Sequence, residues 1–196
     1  MEWEFFMVTK KRTIQIHSIP AIIWGTSSKR LYLYIHGQGG CKEEAEAEAF
    51  ANIACRNGWQ VLSIDLPEHG DRKSESNSFD PWHIVPELNT IMKFAKGHWE
   101  QISLFADSIG AWFSMLSFKD ERLRNCLFVS PVLDMKKLIS NMMKWANVSE
   151  ARLKKSLLLL LPLCKHFLGS IGNTLQITLL QNGKYRPKYY MERMTI

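Results

Sequence analysis

Near-continuous apolar runs recur along the chain at Leu31-Tyr-Leu-Tyr-Ile-His36, Val61-Leu-Ser-Ile-Asp65, Ile102-Ser-Leu-Phe-Ala106 and Cys126-Leu-Phe-Val-Ser130. Runs of this kind suit parallel strands buried on both faces. Between the first two, the pattern predicts a helix with Ala45, Ala49, Phe50, Ile53 and Ala54 facing inward and Glu46, Glu48, Asn52 and Arg56 facing water. Glu43 and Glu44 stand where the helix dipole is positive, and Gly58 is placed to end the helix in a left-handed conformation. A second helix opens at Asp80-Pro81 or at Pro86, turns Leu88, Ile91, Met92 and Ala95 inward, and closes at Gly97. Two earlier stretches, Phe5 to Thr9 and Ile14 to Trp24, suit an antiparallel ribbon at the sheet's edge. The pattern predicts an α/β domain, a mostly parallel sheet with helices on both faces.

Chemistry in such a sheet collects at the carboxyl ends of its strands, and three motifs fall there. Ala106-Asp107-Ser108-Ile109-Gly110 follows one strand and precedes the helical run Ala111 to Leu116. His36-Gly37-Gln38-Gly39-Gly40 follows another, and Asp65-Leu66-Pro67-Glu68-His69-Gly70 a third. Each has a bland reading: a Ser-Gly helix cap, a flexible glycine turn, and a loop whose His69 and Asp71 lack a third ligand at metal-binding spacing. Their order and spacing together resemble the α/β-hydrolase superfamily, over roughly residues 1–150. The first motif is similar to its nucleophile elbow, with Ala106 where the family usually has glycine. The second is similar to its H-G-x-x-G loop, and the third to its D-x-P-G-H-G loop, with Glu68 replacing a glycine.

That resemblance implies a serine hydrolase that cleaves a small ester, thioester or amide, needs no cofactor or metal, and uses Ser…Asp/Glu…His in chain order. Ser108 would be the nucleophile, and the main-chain N–H groups of Gln38 and Ile109 would form the oxyanion hole. His36 reads as a hydrogen-bonding residue at a strand end rather than a base. The acid and the base are harder to place. Asp134 either serves as the acid or caps the helix beginning Met135-Lys-Lys-Leu-Ile, and His166 is the sole histidine after Ser108.

Charge separates the remaining stretch from the rest. Residues 1–153 hold 18 Lys and Arg against 18 Asp and Glu, so the net +6 lies in residues 154–196, with 7 cations and Glu192. Those cations are scattered among leucines rather than clustered with stacking aromatics, which argues against a nucleic-acid-binding tail. Acids at Glu2 and Glu4 argue against a signal peptide, and the apolar run Leu157 to Cys164 contains Pro162, so neither secretion nor a membrane span is expected. Cys41, Cys55, Cys126 and Cys164 form no C-x-x-C pair and suggest reduced thiols in the cytoplasm.

The genetic code accounts for the break. Lys188-Tyr-Tyr-Met-Glu192 is encoded AAR-TAY-TAY-ATG-GAR, and reading from each third base gives Ile or Val, Leu, Tyr or His, then Gly. Met194-Thr195 continues this frame with a forced Asp, and the result resembles the strand that delivers the catalytic acid in the superfamily. In the same frame His166 to Asn173 can read Leu-Ser-Trp-Glu-Tyr-Trp-Lys, and Lys184 to Pro187 permits Val-Pro-Thr. Residues 1–153 are therefore expected to be the N-terminal part of the hydrolase domain. Residues 154–196 are expected to be an anomalous tail, out of frame from about Ser156, that leaves the fold without its last strands and helices. The chain would then be a truncated, inactive form. The alternative is a non-catalytic binding module with a basic tail. The sequence leaves oligomeric state open.

Overall fold

A computed structural model describes residues 9–149 and Arg152. It divides into two units, one up to Pro131 and one from Val132. The first holds β1 (Lys11–Ile16), β2 (Ile19–Trp24), β3 (Arg30–Ile35), α1 (Ala45–Arg56), β4 (Gln60–Ile64), α2 (Pro81–His98), β5 (Gln101–Asp107), α3 (Ser108–Ser117) and β6 (Cys126–Val129). The second holds α4 (Met135–Trp145), whose N-cap Asp134 accepts a hydrogen bond from the Lys137 N–H at 2.9 Å. Among the described residues no helix is long and apolar enough to cross a membrane.

The six strands form one sheet in the order β1-β2-β4-β3-β5-β6. Strands β4, β3, β5 and β6 are parallel neighbours, while β2 runs antiparallel to both β1 and β4. The stretch Ile14 to Trp24 is not one arm of a ribbon: it folds back on itself between Ile16 and Ile19, with His17 at a φ of 55°. A β-branched run looks continuous in sequence even where two residues suffice to turn a hairpin. Residues 5–8 of the other expected arm lie outside the described residues.

Topology places the helices and the crevice together. From β3 the chain steps one way through α1 to β4, then returns past β3 through α2 to β5 and onward through α3 to β6. Right-handed crossovers in opposite directions put α1 on one face and α2 and α3 on the other. The reversal opens a crevice at the carboxyl ends of β3 and β5, the ends that carry His36 and Ser108.

The face toward α1 is built from Tyr34 and Val61 with Ala47, Ala51 and Ala54 of the helix, flanked by Phe50, Phe105 and Trp59. This stripe differs from the expected one: Ala45 and Ala49 are exposed, and Ile53 is 53% exposed. Alanine sits on either face at little cost, so the choice falls to shape. Small residues at 47, 51 and 54 let the backbone approach while Phe50 fills the flank. The helix ends as expected, with Gly58 at a φ of 75° and the Gly58 and Trp59 N–H groups bonded to the carbonyls of Cys55 and Ala54. Helix α2 begins at Asp80-Pro81, where the Asp80 carboxylate accepts from the Trp82 and His83 N–H groups, and Pro86 lies inside it. Gly97 does not close this helix; it continues to His98, and extended Trp99 stops it. Leu88, Ile91, Met92 and Ala95 are buried as the spacing predicts, joined by Ile84.

The β6 side is unlike the rest. Leu127 and Val129 are 41% and 42% exposed on a strand that is the sheet's edge among the described residues. An apolar strand edge left open invites association, and each large side chain left in water forgoes about 1.5–3 kcal/mol. The purified 196-residue chain is expected to bind hydrophobic dyes and to elute as oligomers; a monodisperse peak with a sharp cooperative melt would contradict this.

Candidate active site

The turn from β5 into α3 is tight. Ser108 sits at a φ of 47°, in the left-handed region that a non-glycine residue occupies only under strain, and its side chain is half-buried. Gly110, two residues on, is fully enclosed: a Cβ there would collide with the His36 carbonyl oxygen and stand 2.9 Å from that of Ile35. Only glycine lets α3 start this close to β3. Ala106, the family departure on the other side of the serine, is completely buried. A methyl group is therefore accommodated before the nucleophile position and excluded after it.

The His36–Gly40 loop leans onto the same turn. A Cβ on Gly37 would collide with the Asp107 carboxylate and lie 3.1 Å from Ser108 Cβ, so the loop and the elbow share one site. Gln38 is exposed beyond it, and the Gly40 N–H closes the turn onto the Gly37 carbonyl at 3.2 Å. His36 is wholly buried, and both its nitrogens are engaged: Nδ1 donates to the Gly37 carbonyl at 2.8 Å, and Nε2 accepts from the Leu66 N–H at 3.0 Å. Burial pushes its pKa down to about 4. His36 thus joins its own loop, His36–Gly40, to the Asp65–Gly70 loop as a neutral ring.

His69 repeats the device, with Nε2 accepting from the Gly39 N–H at 3.0 Å and Nδ1 donating to the Pro67 carbonyl at 2.8 Å. Among the described residues no cluster of metal-ligating side chains forms around His69 or Asp71. Glu68 occupies the left-handed region at a φ of 65°, the conformation its glycine counterpart would enter freely. Its Oε1 accepts from the Ser78 and Phe79 N–H groups at 2.8 and 3.0 Å, which holds Phe79 against the His69 ring at 4.6 Å. Gln38, Gly39, Gly40, Glu68, Lys73 and Phe79 are among the residues lining a cleft of about 310 Å³ beside the loop.

Beneath the loop lies a charge network that no local sequence pattern reveals. Lys42 is 3% exposed; its Nζ contacts Asp65 Oδ2 and Asp71 Oδ2 at 2.7 Å each, and its main-chain N–H reaches Asp65 Oδ1 at 2.8 Å. Burial pulls the Lys42 pKa down, but the bonds to Asp65 and Asp71 outweigh it and hold the ammonium above its ordinary value. The Lys42 carbonyl accepts from Ser63 Oγ, which in turn accepts from the buried Trp24 indole N–H. Buried Arg72 pairs with Glu75 and Glu87 and ties this region to α2. Asp107 lies above its ordinary pKa, chiefly through burial and then through Glu46, opposed by the Ser108 N–H.

This arrangement of sheet and helices recurs in solved structures. An esterase of Pyrococcus furiosus aligns over 72% of this chain and 56% of its own at a TM-score of 0.56 and 18% identity. The chain has the α/β-hydrolase fold. Other proteins similar in this α/β-hydrolase architecture include a cold-adapted esterase from an Arctic intertidal metagenomic library, at a TM-score of 0.51, 19% identity and 65% of each chain. An epoxide hydrolase of Vigna radiata aligns at a TM-score of 0.54 and 17% identity, over 72% of this chain and 47% of its own. The chain spans 56% and 65% of the lengths of the two esterases. No protein-family model and no curated protein matches the sequence.

Within this α/β-hydrolase framework Ser108, Gln38 and Ile109 fall in one unit at the carboxyl ends of β3 and β5. Among the described residues Ser108 Oγ has no hydrogen-bond partner, and Asp134 belongs to the second unit as the cap of α4. His166 and the charge break at Lys154 lie outside the described residues.

Proposed function

We propose that this gene specifies a cytoplasmic serine hydrolase acting on a small ester, thioester or amide, with Ser108 as nucleophile and the Gln38 and Ile109 N–H groups as oxyanion donors. The observation that carries this reading is the strained Ser108 at a strand-to-helix turn, packed beneath a glycine loop through Gly37 and Gly110. Attack by Oγ on the acyl carbonyl would develop charge on its oxygen, and two preorganised N–H donors stabilise such charge far better than water can. A cleft of about 310 Å³ lined by Gln38, Gly39 and His69 borders the loop that carries the Gln38 donor. No cofactor, nucleic acid or membrane enters this scheme.

The reading extends to the tail. Residues from about Ser156 onward are out of frame, so the acid and histidine of the triad are missing and the 196-residue chain is an inactive form.

Ester hydrolysis tests this reading. In the frame-restored protein p-nitrophenyl acetate should be hydrolysed at least 10²-fold faster than p-nitrophenyl palmitate, and Ser108→Ala should reduce kcat by roughly 10⁴ or more. Equal rates on both esters would remove the small-substrate assignment, and turnover that survives Ser108→Ala would remove the nucleophile.

A further inference from the structure

The opposite end of the sheet carries a second concave surface. Gln60 opens β4, Trp99 immediately precedes the turn into β5, and Ser28 lies just before β3, so this groove sits at the amino ends of the parallel strands. At about 3.3 Å per residue the 7-residue β5 separates it from Ser108 by roughly 20 Å. Its volume is about 700 Å³, within the range of small-molecule sites.

Its chemistry is one-sided. Lys10, Lys11, Arg12 and His98 line the groove, and among the described residues no Asp or Glu does. Lys11 is occupied by Glu43 at 3.2 Å, whereas Lys10 and Arg12, both exposed, have no acidic partner among the described residues. Ser27 lines the same rim. The floor beside these donors is aromatic: exposed His98 lies over Phe94 with ring centroids 4.1 Å apart, and its Nδ1 donates to the Phe94 carbonyl, which holds the ring in place. Trp99 packs against both and is itself fixed by its indole N–H to Gln60 Oε1 at 2.8 Å.

We propose that this groove binds a phosphorylated ligand that carries a planar ring, of nucleoside monophosphate size. Lys10 and Arg12 receive the phosphate, and the open face of His98 stacks on the ring. Two cations without an acidic partner among the described residues attract a dianion, and a fixed aromatic face beside them supplies a stacking surface at low ordering cost. This site is independent of the chemistry at Ser108.

The test is a titration of the 196-residue chain with AMP, with inorganic phosphate and with adenosine, followed by amide chemical shifts. AMP should saturate in the sub-millimolar range at low salt, at least 10-fold tighter than either fragment, with shifts confined to residues around 10–12 and 94–99, and should weaken as salt is raised. The double variant Lys10→Glu/Arg12→Glu, altered only at exposed side chains, should lose at least 10-fold in affinity, and His98→Ala should bring AMP down to the affinity of phosphate. No saturation with AMP, equal binding of AMP and phosphate, or a double variant that binds as tightly would overturn the proposal; in that outcome the cations serve to keep edge strand β1 from pairing. If the chain associates, the frame-restored chain, which shares residues 10–99, gives the same readout.

Discussion

Restoring the reading frame with one inserted base, or two deleted bases, near codon 155 is expected to raise turnover on short p-nitrophenyl esters by several orders of magnitude. A serine hydroxyl without a general base is a poor nucleophile at neutral pH. The donors at Gln38 and Ile109 alone would retain a residual acceleration of roughly 10³–10⁴ over water, against 10⁶ or more for a whole enzyme. The restored protein should lose its gain on changing the aspartate now hidden beneath Met194-Thr195. Strong turnover by the unrepaired chain that depends on Asp134 and His166 would contradict the account, because those two residues would then complete a working triad.

The second large effect is on stability. Lys42→Met in the frame-restored protein should cost about 3–5 kcal/mol, because it leaves the wholly buried Asp65 carboxylate without its ammonium partner. The Lys42 and Asp71 N–H groups still reach Asp65 but carry no full charge. Adding Asp65→Asn should recover part of the loss, since it removes the stranded charge. Denaturant midpoints measure both. A loss below about 1 kcal/mol for Lys42→Met would show that this pair is dispensable.

Local features of this fold were legible in the sequence, and long-range ones were not. The elbow, the glycine loop and the caps at Asp80 and Gly58 each depend on a few consecutive residues whose backbone demands are known, so their letters reveal them. Glu68 shows a subtler case: its chemistry departs from the family while its left-handed backbone does not, because two main-chain N–H groups on its carboxylate offset the strain. The buried face of α1 was misread because alanine carries little directional information. The role of Lys42 is not legible in the sequence because its partner Asp65 lies 23 residues away, and only the parallel pairing of β3 with β4 brings the loops after them together. Arg72 and Glu87 are joined across the start of α2, 15 residues apart in sequence.

The central claim, that Ser108 is the nucleophile, is tested most directly by mapping a fluorophosphonate adduct on the frame-restored protein by peptide mass spectrometry. The account predicts a single adduct on the peptide containing Ser108 and none in Ser108→Ala; an adduct on another residue, or labelling that persists in the variant, would contradict it.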